Sequence, residues 1–192
     1  MKEHGVFPWW AGYLILSPLR KLSIDPDSLL RPYIRQGMTV LDAGCAMGYF
    51  SIPMAGMTGP GGRVICVDPQ KRMLAALDRR AAKHGVSAVI ETRLCTFSSL
   101  RLDDLNEKVD VALAFGVLHE TRDKKRFAEE LGLSMRPGGV LVFGEPHVVS
   151  GKDFSEELGI VEQAGFVVKE KFRKGRNTLA VLHKTAVDRR YP

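Results

Sequence analysis

Two aspartates and a short turn of small residues form the part of this sequence best suited to hold a ligand. Asp42 lies in the apolar run 39–43, the turn 44–48 follows it, and Asp68 closes the next apolar run. Glycines in such a turn let the backbone bend sharply and approach a flat ligand. A carboxylate accepts two hydrogen bonds at once, so Asp68 suits the paired hydroxyls of a ribose. The pattern favours a ribose-containing ligand, although a glycine turn between a strand and a helix is also compatible with a purely structural role.

Two common phosphate-binding motifs do not fit this turn. A dinucleotide fingerprint would place Ala46 at its second glycine position and Tyr49 at its third, where the ring would obstruct the contact between helix and strand. A P-loop requires Gly-Lys-Ser/Thr, which the turn does not contain.

Two histidines stand where a proton acceptor would be useful. His119 and Glu120 follow the fourth predicted strand, and Glu145 and His147 follow the fifth. Ligands of open α/β sheets bind at the carboxyl ends of the strands, and a histidine with a pKa near 6.5 can accept a proton at neutral pH. Each histidine alone is also compatible with capping a loop, and the two glutamates could instead orient a histidine or bind a cationic acceptor. No metal is expected, because these two pairs lack a diagnostic ligand spacing.

The N-terminal segment is rich in aromatic residues. Trp9, Trp10 and Tyr13 precede the first predicted strand, in a segment that we interpret as a helical cap over residues 1–37. Such a segment can cover an acceptor, anchor at a lipid surface with Arg20 near the phosphates, or pack on the sheet. We expect a lid, whose three aromatic residues bind an acceptor with an apolar or aromatic body.

Residues 38–192 must position these groups as one domain. Short β-branched runs alternate there with longer helical patterns, which predicts βαβ units and a parallel sheet. The predicted strands are 39–43, 63–67, 88–94, 109–115 and 139–144, and the predicted helices are 48–57, 70–84 and 123–135. Asp123 is a suitable N-cap for the third helix, and Arg136-Pro-Gly-Gly is expected to end it before the fifth strand.

The alternation of strands and helices ends towards the C-terminus. A helix at about 153–164 leads to two alternating strands, 166–172 and 178–183, joined by a turn. Strands of a hairpin run antiparallel, so a mostly parallel sheet must contain one reversed strand.

Composition narrows the class of protein. The chain has 192 residues, 45% apolar and 26% charged, which excludes disordered and fibrous classes. Its net charge of +6 arises entirely in 165–192, which has eight basic and two acidic residues. The rest of the chain is neutral, so the positive charge is not spread over a binding face, which disfavours a nucleic-acid partner. Three widely spaced cysteines form no disulfide framework or zinc pattern, which favours the reducing cytoplasm. No membrane span is expected, since no apolar run approaches about 20 residues.

The combination of motifs resembles the class I S-adenosylmethionine-dependent methyltransferases, small single-domain members in particular. It comprises D-x-G-x-x-x-G after strand one, an acidic end to strand two, R-P-G-G before strand five and E-x-A-G-F before the hairpin, across 38–184. The resemblance implies a Rossmann-like, doubly wound α/β sheet of seven strands, in the order 3-2-1-4-5-7-6 with strand seven antiparallel. The sequence departs from the family at Ala46, which replaces a glycine, and at Cys95-Thr-Phe, where an acidic residue is common.

The resemblance also implies S-adenosylmethionine as the cofactor. Asp42 would face the ammonium group of the cofactor, and Asp68 would bind its ribose hydroxyls. The turn 44–48 would line its methionine and ribose parts. The predicted cofactor-binding residues are Asp42, Gly44, Cys45, Ala46, Gly48, Asp68, Pro69, Met73, Thr96, Phe97 and Phe115.

Methyl transfer needs alignment of donor and acceptor in a dry pocket and, for some acceptors, a base. The predicted catalytic residues are therefore His119, His147 and Glu145, and Glu120 joins the aromatic residues in binding a small-molecule acceptor. Two alternatives stay open: an RNA or protein methyltransferase that uses the basic hairpin, and a non-catalytic module that binds S-adenosylmethionine. The sequence does not indicate an oligomeric state.

Overall fold

A seven-stranded sheet with helices on both faces forms the protein. The computed structural model describes residues 8, 9, 12, 16, 17 and 19–186. The strands are β1 (Thr39–Ala43), β2 (Arg63–Asp68), β3 (Ile90–Leu94), β4 (Val109–Phe115), β5 (Met135–Glu145), β6 (Phe166–Lys174) and β7 (Asn177–Lys184). Their order in the sheet is β3-β2-β1-β4-β5-β7-β6. β7 runs antiparallel to both β5 and β6, and the other neighbours are parallel. The predicted doubly wound fold and its strand order are confirmed.

Six helices have defined bounds within the described residues. They are α1 (Arg20–Ser23), α2 (Pro26–Leu30), α3 (Ser51–Thr58), α4 (Lys71–Lys83), α5 (Lys124–Ser134) and α6 (Gly151–Gln163), with short 3-10 turns at Asp103–Leu105 and Leu118–Glu120. α5 begins where predicted, because the Asp123 carboxylate accepts a hydrogen bond from the Arg126 amide at 3.0 Å. Ser150 caps α6 in the same way through the Asp153 amide at 3.1 Å. The ends of these helices are therefore encoded locally by their capping side chains.

The two faces of the sheet bury two separate cores. Leu41 and Ile65 pack against α5 and α6 on one face. Val40 and Val64 precede them in the same strands and pack against α2, α3 and α4 on the other. Successive side chains of a strand point to opposite faces, so each central strand contributes to both cores. This burial on both faces explains the near-continuous apolar runs of the sequence.

Two predicted boundaries are wrong by three or more residues, and the others differ from the structure by two at most. The predicted fifth strand began at residue 139, but β5 begins at Met135, which pairs with Val109 of β4. The ladder resumes at the pair Val111 and Val140, so the Pro-Gly-Gly segment forms an irregularity within the strand. α3 begins at Ser51 instead of residue 48, because Gly48 has a φ of +79°, outside the helical region.

Within the described residues, no helix is long and apolar enough to cross a membrane.

Candidate active site

A cavity of about 410 Å³ opens at the carboxyl ends of β1, β2 and β4. Most of its wall is apolar, and its polar groups come from the ends of the strands, from the loops that follow them and from α1. It is lined by Arg20, Asp42, Gly44, Cys45, Ala46, Tyr49, Phe50, Asp68, Pro69, Gln70, Met73, Cys95, Thr96, Phe97, Leu100, Phe115, Gly116, Val117, His119, Glu120, Thr121, Phe127, Pro146 and Val148. The carboxyl edge of a parallel sheet is where open α/β folds bind their ligands.

Residues 44–48 form a tight turn against β2. The Gly44 amide donates to the Val67 carbonyl at 2.9 Å, and Gly44 has a φ of +79°. A Cβ at Gly44 would lie 2.7 Å from Val117, so only glycine fits between the two loops. Ala46 also has a positive φ, +46°, and its amide donates to Asp68 Oδ2 at 3.0 Å. The turn therefore brings bare backbone to the cavity wall.

Gly48, a predicted cofactor-binding residue, does not line the cavity. A Cβ there would lie 2.2 Å from Leu77 Cδ1 in α4. Gly48 therefore permits close packing between the turn and α4, and the side of the turn that faces the cavity is formed by Gly44, Cys45 and Ala46.

Asp68 lies at the end of β2 and faces the cavity, as the sequence predicted. Its Oδ1 accepts from the Gln70 amide at 2.8 Å and its Oδ2 from the Ala46 amide at 3.0 Å. Burial raises the pKa of Asp68 to about 6, which the two amide bonds oppose and the charge of Glu120 reinforces. A carboxylate has about four acceptor positions, so two remain for a ligand that carries neighbouring hydroxyls.

Asp42 and Arg20 place opposite charges in the same cavity. The Ser51 hydroxyl donates to Asp42 Oδ2 at 2.6 Å. Burial raises the pKa of Asp42 to about 7, the Asp68 charge adds to this, and Ser51 and Arg20 oppose it. The Arg20 guanidinium lies 4.3 Å from the centre of the Tyr49 ring and 5.5 Å from that of Phe50, in cation–π contact.

The apolar wall contains the remaining predicted cofactor residues. Pro69 and Met73 come from the end of β2 and from α4, Thr96 and Phe97 from the loop after β3, and Phe115 from the end of β4. Met73 is also fully buried against neighbouring methionine and alanine side chains, so it serves the core as well as the wall. All predicted cofactor residues except Gly48 thus meet at one cavity.

His119 lies in the 3-10 turn after β4 and is 13% exposed at its side chain. Its Nδ1 is 2.7 Å from Glu145 Oε2, and its Nε2 is 3.8 Å from Glu120 Oε1. Burial lowers the pKa of His119, but the hydrogen bond and charge of Glu145 and the charge of Glu120 outweigh it, so the pKa rises above 6.5. Because Glu120 lines the cavity, this orientation directs Nε2 towards the cavity and Nδ1 towards the protein.

Glu145 stands behind this histidine and is 1% exposed. It does not line the cavity and contacts the histidine on the side of Nδ1. Burial raises the pKa of Glu145 to about 7, against the hydrogen bond and charge of His119.

His147 and the N-terminal aromatic residues complete the set of predicted acceptor-site residues. His147 is exposed and lies outside the cavity lining, because the chain after Glu145 turns it towards solvent. Trp9 is 36% exposed, and the centre of its ring lies 4.8 Å from the Arg72 guanidinium. It does not line the cavity. Trp10 and Tyr13 lie outside the described residues, so their contribution to a lid stays a prediction.

Several cavity residues were not identified from the sequence. The sequence suggests for Arg20 only a contact with lipid phosphates, and Tyr49, Phe50, Phe127 and Val148 belong to no recognised motif. Tyr49 and Phe50 directly follow the glycine turn, and this position is the one feature of the sequence that could have placed them at the cavity. Within the described residues, no cluster of three or more His, Cys, Asp or Glu side chains is arranged to hold a metal ion.

Comparison with known proteins gives a consistent result. A family model described as a methyltransferase domain matches residues 34–180. The ubiquinone biosynthesis O-methyltransferase of Methylocella silvestris is 33% identical over 140 residues, 72% of this chain and 52% of that protein. Its namesake from Rhizobium etli is 30% identical over 138 residues, with the same coverage of 72% and 52%. The chain spans about half the length of these curated relatives.

A solved structure shares the whole fold. The crystal structure of a SAM-dependent methyltransferase from Aquifex aeolicus superposes with a TM-score of 0.80. The two chains are 24% identical, and the match covers 93% of this chain and 98% of that one.

Proposed function

Because the chain belongs to the class I S-adenosylmethionine-dependent methyltransferases, we propose that it methylates a hydroxyl group of a small acceptor with an apolar, aromatic body. The observation that carries this proposal is the contact of 2.7 Å between His119 Nδ1 and Glu145 Oε2 at the edge of an apolar cavity. A hydroxyl must lose its proton during methylation, and an oriented imidazole can accept it.

The residues present fit S-adenosylmethionine, which supplies an electrophilic methyl group on a sulfonium sulfur when bound. Asp68 retains acceptor positions for the ribose hydroxyls, and Gly44 lines the cavity without a side chain. Asp42 and Arg20 match the ammonium and carboxylate of the methionine part. Phe97 and its apolar neighbours provide a flat wall for the adenine.

His119 is suited to act as the general base. Its Nδ1 faces a carboxylate that orients the ring and stabilises the cation formed on protonation. Its pKa lies above 6.5, so it is a stronger base than an exposed histidine. An acceptor hydroxyl held against Nε2 would lose its proton to this nitrogen as the new bond to oxygen forms.

The cavity and the relatives support the acceptor class. Leu100, Phe127 and Val148 add apolar surface to the cavity, whose polar groups include His119 and Glu120. Such a site favours a largely apolar body and one correctly placed polar group. The relatives' names specify O-methyl transfer in ubiquinone biosynthesis, which supports oxygen as the acceptor atom.

Transfer of a labelled methyl group tests the proposal. The protein is incubated with S-adenosylmethionine labelled in the methyl group and with a catechol that carries an apolar side chain. Matched reactions contain the corresponding aniline, the fully methylated ether, or RNA. We expect label on a catechol oxygen only, located by mass spectrometry. Label on the aniline nitrogen, on RNA or on the protein itself would contradict the proposed acceptor class.

A further inference from the structure

Gly12 and Leu16 precede α1 and pack against side chains that belong to the cavity wall or adjoin it. Gly12 is buried, and a Cβ there would lie 2.9 Å from Sδ of Met73 and 2.9 Å from Cε of Met47. Leu16 packs against the buried cluster that contains the same two methionines. Met73 lines the cavity, so the residues before α1 reach the wall that the donor would contact.

The turn 44–48 packs against the same cluster of methionines. Ala46 lies against this cluster, and its amide donates to Asp68 Oδ2 at 3.0 Å. Ala46, Asp68 and Met73 all line the cavity. A change in the packing of Met73 should therefore be felt on the side of the cavity that is proposed to hold the ribose.

Arg20 enters the cavity from the same stretch of chain. Its amide donates to the Ser17 carbonyl at 3.0 Å. Its guanidinium lies 4.3 Å from the centre of the Tyr49 ring, and the Tyr49 hydroxyl donates to the Ile24 carbonyl at 2.7 Å. Tyr49 directly follows the turn 44–48, so α1 is attached to the chain next to this turn.

The side chain of methionine is flexible, so its neighbours decide where its end lies. Gly12 has no side chain and leaves room for the ends of Met47 and Met73, while Leu16 covers their cluster. We propose that Gly12 and Leu16 are positioning residues of the donor site, which hold Met73 in the wall that faces S-adenosylmethionine. This inference rests on the proposed function for the place of the donor, and it is independent of the acceptor and of His119.

A side chain at position 12 should disturb the donor site more than the fold. Gly12 has a helical backbone, so alanine is compatible with its conformation. The atoms that the new Cβ would meet are the ends of flexible side chains, which can move at little cost in stability. Because one of these side chains is Met73, the movement alters the cavity wall. A purely structural glycine would show the reverse, a loss of stability without a selective loss of donor affinity.

Calorimetry with S-adenosylmethionine, in the absence of any acceptor, tests this inference. Gly12→Ala should bind the donor about three- to tenfold more weakly, with a Tm close to that of the wild-type protein. Leu16→Ala should weaken donor binding by a similar factor, because the methionine cluster loses its cover. Gly159→Ala is the matched control and should leave the affinity unchanged, since Gly159 is a helical glycine of α6 with open space around an added Cβ. Unchanged donor affinity in either Gly12→Ala or Leu16→Ala would overturn the inference.

A double substitution shows whether Gly12 acts through Met73. Met73→Val removes the Sδ and Cε atoms that the new Cβ would meet, and alone it should weaken donor binding because it shortens a wall residue. Gly12→Ala added to Met73→Val should then cost little further affinity, so the two effects should not add. Fully additive effects would contradict the positioning role.

Steady-state kinetics separates this inference from the proposed function. Gly12→Ala should raise the KM for the donor and leave unchanged the KM for the acceptor and the pH profile of kcat, which depends on His119. A raised acceptor KM with an unchanged donor KM would overturn the inference and assign Gly12 to the acceptor site. Full turnover in a His119→Gln variant would refute the proposed base, while calorimetry of Gly12→Ala would still test the donor site.

Discussion

Replacement of Asp42 by Asn should make the ligand-free protein more stable and its donor site weaker. Asp42 is 2% exposed and accepts a hydrogen bond from the Ser51 hydroxyl, which an asparagine oxygen can also accept. What the substitution removes is a carboxylate charge that burial disfavours. Burial raises the pKa of Asp42 from 3.8 to about 7.

The size of the effect depends on pH. Between pH 3.8 and 7 the folded state binds a proton at Asp42 that the unfolded state has lost, so wild-type stability falls as the pH rises. Since one pH unit between the two pKa values corresponds to about 1.36 kcal/mol, ionised Asp42 costs the folded state on the order of 4 kcal/mol at pH 8. At pH 5 the same calculation gives a cost to the folded state of about 2 kcal/mol.

Thermal unfolding at these two pH values checks the calculation. For a chain of this size the Tm of Asp42→Asn should exceed the wild-type Tm by about 10 °C at pH 8 and by about half as much at pH 5. Asp78→Asn is the matched control, because Asp78 is exposed on α4 and its replacement should change Tm little. Calorimetry should show affinity for S-adenosylmethionine that is roughly ten- to a hundredfold weaker, because one charge-assisted contact is lost. A change in Tm of the same size at both pH values, or a lower Tm at pH 8, would refute the reasoning.

Three further substitutions test other contacts. Asp68→Ala should weaken binding of S-adenosylmethionine by at least about a hundredfold in calorimetry, since both ribose contacts are lost, and unchanged affinity would disprove the assignment. Gly48→Ala should lower the free energy of unfolding by roughly 2–4 kcal/mol in urea titrations, because the new Cβ would meet Leu77 at 2.2 Å. Gly85→Ala has a similar positive φ with open space around it, so a loss as large as that of Gly48→Ala would argue against the packing explanation. Arg20→Met should preserve the fold and weaken donor affinity about tenfold, and an unaffected dissociation constant would remove Arg20 from the donor site.

The sequence predicted those parts of the fold that depend on local patterns. The alternation of β-branched runs with helices indicated the parallel strands, and the hairpin at the C-terminus indicated the reversed one. Asp123 marked the start of α5 because a capping side chain acts within its own turn. The irregular start of β5 was not predicted, since it depends on how Met135 pairs across the sheet with Val109.

The site was predictable where a residue's position in a strand decides its location. Asp42 and Asp68 could be placed at the carboxyl edge because parallel strands end there together. His119 and His147 could not be separated, because both follow parallel strands and only the 3-10 turn directs one of them into the cavity.

Residues that come from distant segments were the hardest to predict. Arg20 reaches the cavity from a short helix that has no motif, through contacts with aromatic rings of another loop. Glu157 looks like one of several glutamates in an amphipathic helix, but it is buried in the folded protein and pairs with Lys124 of α5. Such contacts depend on tertiary packing, which the spacing of residues in one segment does not encode.

A comparison of His119→Gln with His147→Gln tests the central claim most directly. The rate of methyl transfer from saturating S-adenosylmethionine to the catechol acceptor is measured in single-turnover reactions, with donor affinity determined in parallel. His119→Gln should transfer the methyl group about 10²- to 10⁴-fold more slowly with unchanged donor affinity, because the base is lost. His147→Gln should match the wild-type protein, because that side chain is exposed and outside the cavity lining. A wild-type rate in His119→Gln would contradict the account.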